Sequence, residues 1–158
     1  MDCRHIQFQF VESFSPSDLK QLQRLFKVAA FWANKRCLED LEIAIANSKP
    51  VVAVWNGTHL IGFARATSDG VYRGTIWDVV IHPDYQGAGL GRKLVQTVLS
   101  HPHMSRVERI YLMTTHQQSF YERIGFQPNP SSTMALFNEP IADARVLTEA
   151  AMEWGGRE

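Results

Sequence analysis

The chain has 158 residues, 45% of them apolar and 20% charged, and its sixteen Lys and Arg balance sixteen Asp and Glu. This length suits one domain able to bury roughly 70% of its unfolded surface without disulfide or metal staples, and the composition argues against disorder. Neutrality disfavours a nucleic-acid binder, whose affinity comes from neutralising phosphates, and no apolar run reaches the ~20 residues of a membrane span. The cancellation is uneven, because residues 1–138 hold fourteen bases and eleven acids while 139–158 hold two and five. Cys3 and Cys37 belong to no CxxC or Cys/His cluster, so no zinc site or disulfide framework is expected. The N-terminus runs straight into an alternating pattern, so no signal or transit peptide is expected, and the expected compartment is the cytoplasm.

Ile6, Phe8 and Phe10 alternate with Gln7 and Gln9, the pattern of a half-buried strand. Ser15-Pro16-Ser17-Asp18 reads as a helix start, with Ser17 or Asp18 as the cap and Leu19, Leu22, Leu25, Phe26 and Ala29 at helical spacing. A second helix carries Leu38, Leu41 and Ile45, with Glu39, Asp40 and Glu42 near the positive end of its dipole, and should stop near Asn47-Ser48. Val51 to Trp55, Asn56-Gly57, then His59 to Thr67 reads as a hairpin with a type I′ turn. Thr75 to Ile81 is a further strand, in which alternation puts Thr75, Trp77, Val79 and Ile81 on one face and Ile76, Asp78 and Val80 on the other. A glycine-rich loop precedes a helical run from Arg92 to Leu99, then a strand from Arg109 to Thr114 and a short helix from Gln118 to Ile124 ended by Gly125. Thr133 to Phe137 reads as a last strand. The tail from Ile141 has Val146, Leu147, Ala150, Ala151 and Trp154 at rough helical spacing. Hairpins first and a strand–helix–strand crossover later make a mixed α+β domain and not a doubly wound parallel sheet. Residues 1–140 form the domain, and 141–158 are expected to be a helical tail packed on it or on a partner.

Gln86-Gly87-Ala88-Gly89-Leu90-Gly91 lies between a strand and a helix. Such a loop can turn its amides toward one point, with the helix N-terminus behind them, and so form an anion site suited to a diphosphate. Arg92 and Lys93 put positive charge in the first helical turn, which an anion nearby would explain. Two familiar phosphate motifs fail, since GxGxxG would need glycine at position 92 and a P-loop would need Gly-Lys-Ser/Thr. The glycines would also serve a tight strand-to-helix turn with no ligand.

The string from Val79 through His82-Pro83-Asp84-Tyr85 to Gly91 resembles the acetyl-CoA motif of the GNAT N-acetyltransferase superfamily, Gln/Arg-x-x-Gly-x-Gly/Ala. Phe120-Tyr121-Glu122-Arg123-Ile124-Gly125-Phe126 resembles its Tyr-x-x-x-Gly-Phe signature, and the two motifs come in the family's order. The resemblance covers residues 6 to 138. A narrower likeness, in Gly62 to Gly70 and Thr75 to Val80, is to the plastid and cyanobacterial branch that includes plant-type serotonin N-acetyltransferases. It implies the GNAT fold, a mixed, mostly antiparallel sheet with splayed central strands, and acetyl-CoA as acetyl donor with no metal.

The resemblance assigns the pantetheine arm to the backbone around Val79, Val80 and Ile81, and the diphosphate to amides from Gln86, Gly87, Ala88, Gly89, Leu90, Gly91 and Arg92. The reaction implied is direct transfer of acetyl to an amine. Tyr121 matches the family's general acid beside the thioester sulfur, although as a helix aromatic it also suits packing, as Phe120 does. The base is open. Asp78 is the only ionisable residue in its strand, but a carboxylate beside Trp77 is equally a structural one. His116 lies close by in sequence and is the other candidate, although the surface-loop reading of this histidine ranks first, and a base acting through water with no single essential residue is also open. Thr114 stands where relatives often carry Asn or Asp. Arg65 and Arg73 could reach phosphate or a substrate carboxylate or simply be solvated.

The expected acceptor is a small-molecule amine held by the region between the first two helices, where Phe26, Phe31 and Trp32 could stack an arylalkylamine such as serotonin or could belong to the core. Protein lysine or N-terminal amines are the enzymatic alternative, and a non-catalytic acetyl-CoA-binding module is the other. A homodimer through the tail is compatible with the pattern. Nucleic acid and membrane are not expected partners.

Overall fold

The computed structural model describes residues 4–138, which fall into two compact units parted between Met113 and Thr114. The first unit is built on a five-stranded sheet in the spatial order β1-β2-β3-β4-β5. Its strands are β1 (Ile6–Phe10), β2 (Val51–Asn56), β3 (His59–Ser68), β4 (Arg73–Ile81) and β5 (Arg109–Tyr111), and its helices are α1 (Pro16–Ala29), α2 (Leu38–Ala46) and α3 (Leu90–Ser100). The first four strands run antiparallel, and β5 lies parallel to β4 after the α3 crossover. This is the mixed α+β architecture that the order of periodicities predicts.

Local chemistry sets the boundaries. Pro16 opens α1 at a position with no intrahelical amide to lose, and the Ser15 hydroxyl accepts from the Asp18 amide at 3.2 Å, so Ser15 is the cap rather than Ser17 or Asp18. The apolar stripe Leu19, Leu22, Leu25, Phe26 and Ala29 is buried as its spacing predicts. α2 ends at Asn47, whose amide returns to the Ile43 carbonyl. The hairpin turns one residue later than Asn-Gly suggests. Asn56 pairs with His59, leaving Gly57-Thr58 as the loop, with Gly57 at φ +59° in the first central position, which is type II′ chemistry.

One sheet face, with Val51, Ala53, Leu60, Phe63 and Val80, forms a continuous core with the buried stripes of α1 and α2. Residues that alternate with these, including Val52, Val54, Ala64 and Ile76, are also buried. α3 packs its Leu90, Leu94, Val95 and Val98 in a layer against β2, β3 and β4. With both faces covered, the strands lose the polar alternation that marks β1.

The strand β4 departs from regular alternation in one place. Arg65 pairs with Trp77 and Phe63 pairs with Val80, so Asp78 and Val79 together oppose Ala64 alone. That is a β-bulge, and Asp78 takes φ +56° within it. Paired residues share a face, so Val80 lies with Trp77 and Thr75, while Ile81 pairs with Gly62 on the other side. The simple parity of the sequence is therefore corrected beyond residue 77. β5 pairs only with Arg73, Gly74 and Thr75. Beyond them the Ile76–Ile81 edge of β4 has no strand beside it on that side among the described residues, because β5 ends at Tyr111.

The second unit, described from Thr114 to residue 138, contains the short helix α4 (Gln118–Glu122). It closes at Gly125, which takes φ +118° and donates to the carbonyls of Tyr121 and Glu122. The strand expected over 133–137 is absent: this segment has no ladder, and Met134, Leu136 and Phe137 are exposed. Apolar alternation alone does not make a strand without a neighbour to bond. The helical tail expected from residue 141 lies outside the described residues.

Candidate functional site

The loop from β4 to α3 is held at its start by local bonds. The His82 Nδ1 accepts from the Asp84 amide at 3.2 Å, and a single 3-10 turn spans Pro83–Tyr85. Gln86 Nε2 donates to the Ile81 carbonyl at 2.9 Å, tying the first loop residue to the last strand residue. Asn56 Nδ2 donates to the Tyr85 hydroxyl at 2.9 Å, fixing the turn to the hairpin. The chain then passes through two left-handed glycines, Gly87 at φ +81° and Gly89 at φ +77°.

Gly89 is the N-cap of α3, and no side chain caps that end. The first intrahelical bond runs from the Lys93 amide to the Gly89 carbonyl. The amides of Leu90, Gly91 and Arg92 therefore precede the helical ladder. A Cβ at Gly87 or Gly89 would meet nothing within 4 Å, so these positions are constrained by backbone dihedral and face open space. Leu90 is buried and anchors the helix start, and Arg92 is exposed. Lys93 lies with its ammonium 4.7 Å from the centre of the Phe8 ring. A helix start with no side-chain cap behind two left-handed glycines is an arrangement able to take an anion such as a diphosphate. Behind it runs the strandless edge of β4, which contains Val79, Val80 and Ile81. The structure thus gathers the expected cofactor residues, 79–81 and 86–92, in one continuous stretch at the end of β4.

Asp78 stands immediately before that stretch, with its side chain only 5% exposed. Its Oδ2 accepts from Arg36 Nη1 and from Arg65 Nε, each at 2.7 Å, and its Oδ1 takes a longer bond of 3.4 Å from the Trp32 indole. Burial alone would raise its pKa. The hydrogen bonds and charges of Arg36 and Arg65 outweigh burial and hold the carboxyl below its ordinary value. A general base working near neutrality needs the opposite shift, so these surroundings favour the structural side of the sequence alternative for Asp78. Arg65 also donates to Ser48 Oγ at 3.2 Å. Arg73, at the other end of β4, pairs with exposed Glu108 at 3.4 Å.

In the second unit Tyr121 is packed between the rings of Phe120 and Phe126, with centroids 4.9 and 5.8 Å away. Desolvation pushes its phenol up to about 12, so the hydroxyl keeps its proton at neutral pH. His116 is exposed in the turn before α4, where Thr114 Oγ1 accepts from the Gln117 amide at 3.1 Å. Two other histidines are engaged by neighbours: His101 Nδ1 accepts from the His103 amide, and His103 Nε2 lies 2.8 Å from the Ser68 carbonyl. Sequence reasoning missed Arg36 altogether. It stands 42 residues from Asp78, and nothing periodic links them.

The profile described as "Acetyltransferase (GNAT) family" matches residues 19–126. An "Uncharacterized N-acetyltransferase ycf52" of Pyropia yezoensis is 34% identical over 145 residues, covering 87% of this chain and 82% of that protein. "Histone acetyltransferase TAP1" of Glycine max is 39% identical over 82 residues, covering 51% of this chain and 36% of that one. "GCN5-related N-acetyltransferase 2, chloroplastic" of Arabidopsis thaliana is 40% identical over 82 residues, and this chain spans 32% of its length. Among solved structures, a GNAT family acetyltransferase from Brucella melitensis in complex with acetyl-CoA aligns with a TM-score of 0.62 at 18% identity, covering 78% of this chain and 84% of that one. A GNAT family protein from Streptococcus pneumoniae aligns at 0.69 and 21% identity, covering 85% and 99%.

Proposed function

The chain belongs to the GNAT family of acetyl-CoA-dependent N-acetyltransferases, and we propose that its acceptor is a primary amine on an aromatic body, an arylalkylamine such as serotonin. The observation that carries this reading is Trp32. It is 45% exposed, packs edge-on against Phe31 with centroids 5.2 Å apart, and reaches Asp78 at the bulge that leads into Val79–Ile81. An exposed indole beside that edge offers a flat apolar surface to an aromatic acceptor.

In this reading the amides of 86–92 hold the diphosphate and the edge at Val79 and Ile81 holds the pantetheine arm. When bound, acetyl-CoA supplies an activated acetyl group whose sulfur departs as a thiolate. The family resemblance assigns to Tyr121 the proton that this sulfur needs. A phenol pushed up to about 12 keeps that proton in the resting enzyme and acts chiefly as a hydrogen-bond donor to the developing anion. The amine must attack as its free base. His116, or water, takes its proton rather than the doubly paired Asp78.

A second acceptor class is favoured by one relative's name, "Histone acetyltransferase" in Glycine max, which points to protein lysine. No helix among the described residues is long and apolar enough to cross a membrane. The Arabidopsis relatives are named chloroplastic, which favours a plastid-type setting over the cytoplasm expected from sequence.

The test is acetyl-CoA turnover with serotonin, tryptamine and a lysine peptide. We expect the arylalkylamines to be turned over with the higher kcat/KM, and Tyr121→Phe to lower kcat by roughly 10–1000-fold. Turnover of the peptide alone would replace the acceptor. Tight acetyl-CoA binding with no turnover of any amine would make the chain a binding module.

A further inference from the structure

Asp78 joins four pieces of the first unit at one buried carboxylate. It belongs to the bulge of β4. Arg65 comes from β3 and continues to Ser48, just beyond α2. Arg36 and Trp32 both come from the connection between α1 and α2. Arg36 is itself held on α1, where its guanidinium lies 5.6 Å from the centre of the Phe26 ring and its carbonyl accepts from Gln23 Nε2 at 3.1 Å. The side chains of Arg36 and Arg65 are 34% and 18% exposed, against 5% for Asp78, so the carboxylate is the enclosed centre and the cations are its rim.

The bulge brings this about. With regular pairing, Asp78 would alternate with Trp77 and point away from the α1–α2 side. The extra residue and the left-handed backbone at Asp78 let its carboxylate meet Arg65, on the same face as Trp77. A left-handed aspartate is tolerated where the surrounding structure over-determines it. Two guanidinium bonds and an indole contact on one side chain are such a surrounding. Oδ2, carrying both guanidinium bonds, is spent on holding the protein together.

We propose that Asp78 is a positioning residue that takes no proton in the reaction and clamps the α1–α2 connection to the bulge of β4, thereby fixing Trp32 where the acceptor binds. Loss of the clamp frees Trp32 and Arg36 but leaves the amide cradle at 86–92 intact, because the cradle is held by Gln86, Tyr85 and the α3 helix start. The acceptor and the cofactor should therefore respond differently. This inference rests on the reading that the acceptor packs on Trp32.

The experiment compares the full chain with Asp78→Asn, Arg36→Met and the double variant, measuring kcat and both KM values across pH. We expect each single variant to raise the acceptor KM by about tenfold. The acetyl-CoA KM and kcat should change by less than about threefold, and the pH profile of kcat should keep its shape. The double variant should be little worse than either single one, because both remove one link. The Trp32 indole N–H resonance, assigned with Trp32→Phe, should shift in both variants without any substrate present. Arg36→Met leaves Asp78 paired with Arg65 and so guards against loss of fold. A fall in kcat of about 100-fold or more in Asp78→Asn, with loss of the acidic limb, would make Asp78 the base. Parallel rises in both KM values, or an unchanged acceptor KM, would also overturn the clamp. If only a lysine peptide is acetylated, the arylalkylamine reading fails while the clamp is still judged, from the peptide KM and the indole resonance.

Discussion

The ionisation of Asp78 links geometry to stability at the scale of one residue. Because Arg36 and Arg65 hold its folded pKa below the ordinary value, the native state binds fewer protons than the unfolded chain in that interval. Its contribution to stability is fully present above the unfolded value, near 3.9, and is lost as pH falls through the folded one. Removing the charge leaves two guanidinium groups facing a neutral amide. Both keep some contact with water, so the cost should be about 1–3 kcal/mol rather than the larger penalty of a fully buried pair. Equilibrium unfolding of Asp78→Asn should therefore show this loss at neutral pH, and the gap to the natural chain should narrow as both are acidified below about pH 4. A gap that stayed constant into acid would mean the paired carboxylate does not supply the difference. The sequence displays Asp78 as a lone acid in an apolar strand, which is why base and structural carboxylate were equally open. Its partners come from positions 13 and 42 residues away, and only the folded chain brings them together.

At the scale of the element, β4 shows what periodicity can and cannot carry. Its extent, its apolar character and the crossover after it follow from composition and turn residues. The bulge does not, because one additional residue changes no composition and shifts every later side chain to the opposite face. The late hairpin turn at Gly57-Thr58 has a similar origin, since Gly57 can be the second central residue of an Asn-Gly type I′ turn or the first of a Gly-Thr type II′ turn, and the strand register decides between them. The strand expected at 133–137 fails for a different reason: pairing is a property of two segments and cannot be read from one. Gly62 of β3 is a non-obvious dependence of β4 on its neighbour. A Cβ there would stand 2.7 Å from Ile81 Cδ1 and 3.0 Å from Val54 Cβ. Gly62→Ala should cost about 1–3 kcal/mol through overpacking. It should also weaken acetyl-CoA binding, because Ile81 lies at the end of the edge assigned to the cofactor. Denaturant midpoints and acetyl-CoA titration read the two effects separately, and a loss of stability with unchanged affinity would detach Ile81 from the cofactor edge.

For the molecule as a whole, a net charge of zero argues against binding nucleic acid yet says nothing against one small phosphate-bearing ligand. The candidate anion site consists largely of backbone amides, which carry no formal charge and leave no trace in a count of Lys and Arg. What the sequence does reveal is the glycine spacing, because only glycine takes the left-handed turns at 87 and 89 without strain. A ligand that binds the folded chain and not the unfolded one stabilises it by mass action, by about 2.7 kcal/mol at a hundredfold excess over Kd. At about 2–4 °C per kcal/mol, acetyl-CoA should raise Tm by roughly 5–10 °C. Gly89→Ala forces an L-residue into φ +77° at a cost of about 1–2 kcal/mol. Since a methyl group there touches nothing within 4 Å, any further loss would come from the re-aimed amides or from the space taken from the ligand. The variant should therefore melt lower without ligand and show a smaller rise at the same acetyl-CoA concentration. If the unliganded Tm drops while the ligand-induced rise stays the same, Gly89 serves the turn alone and the diphosphate lies elsewhere.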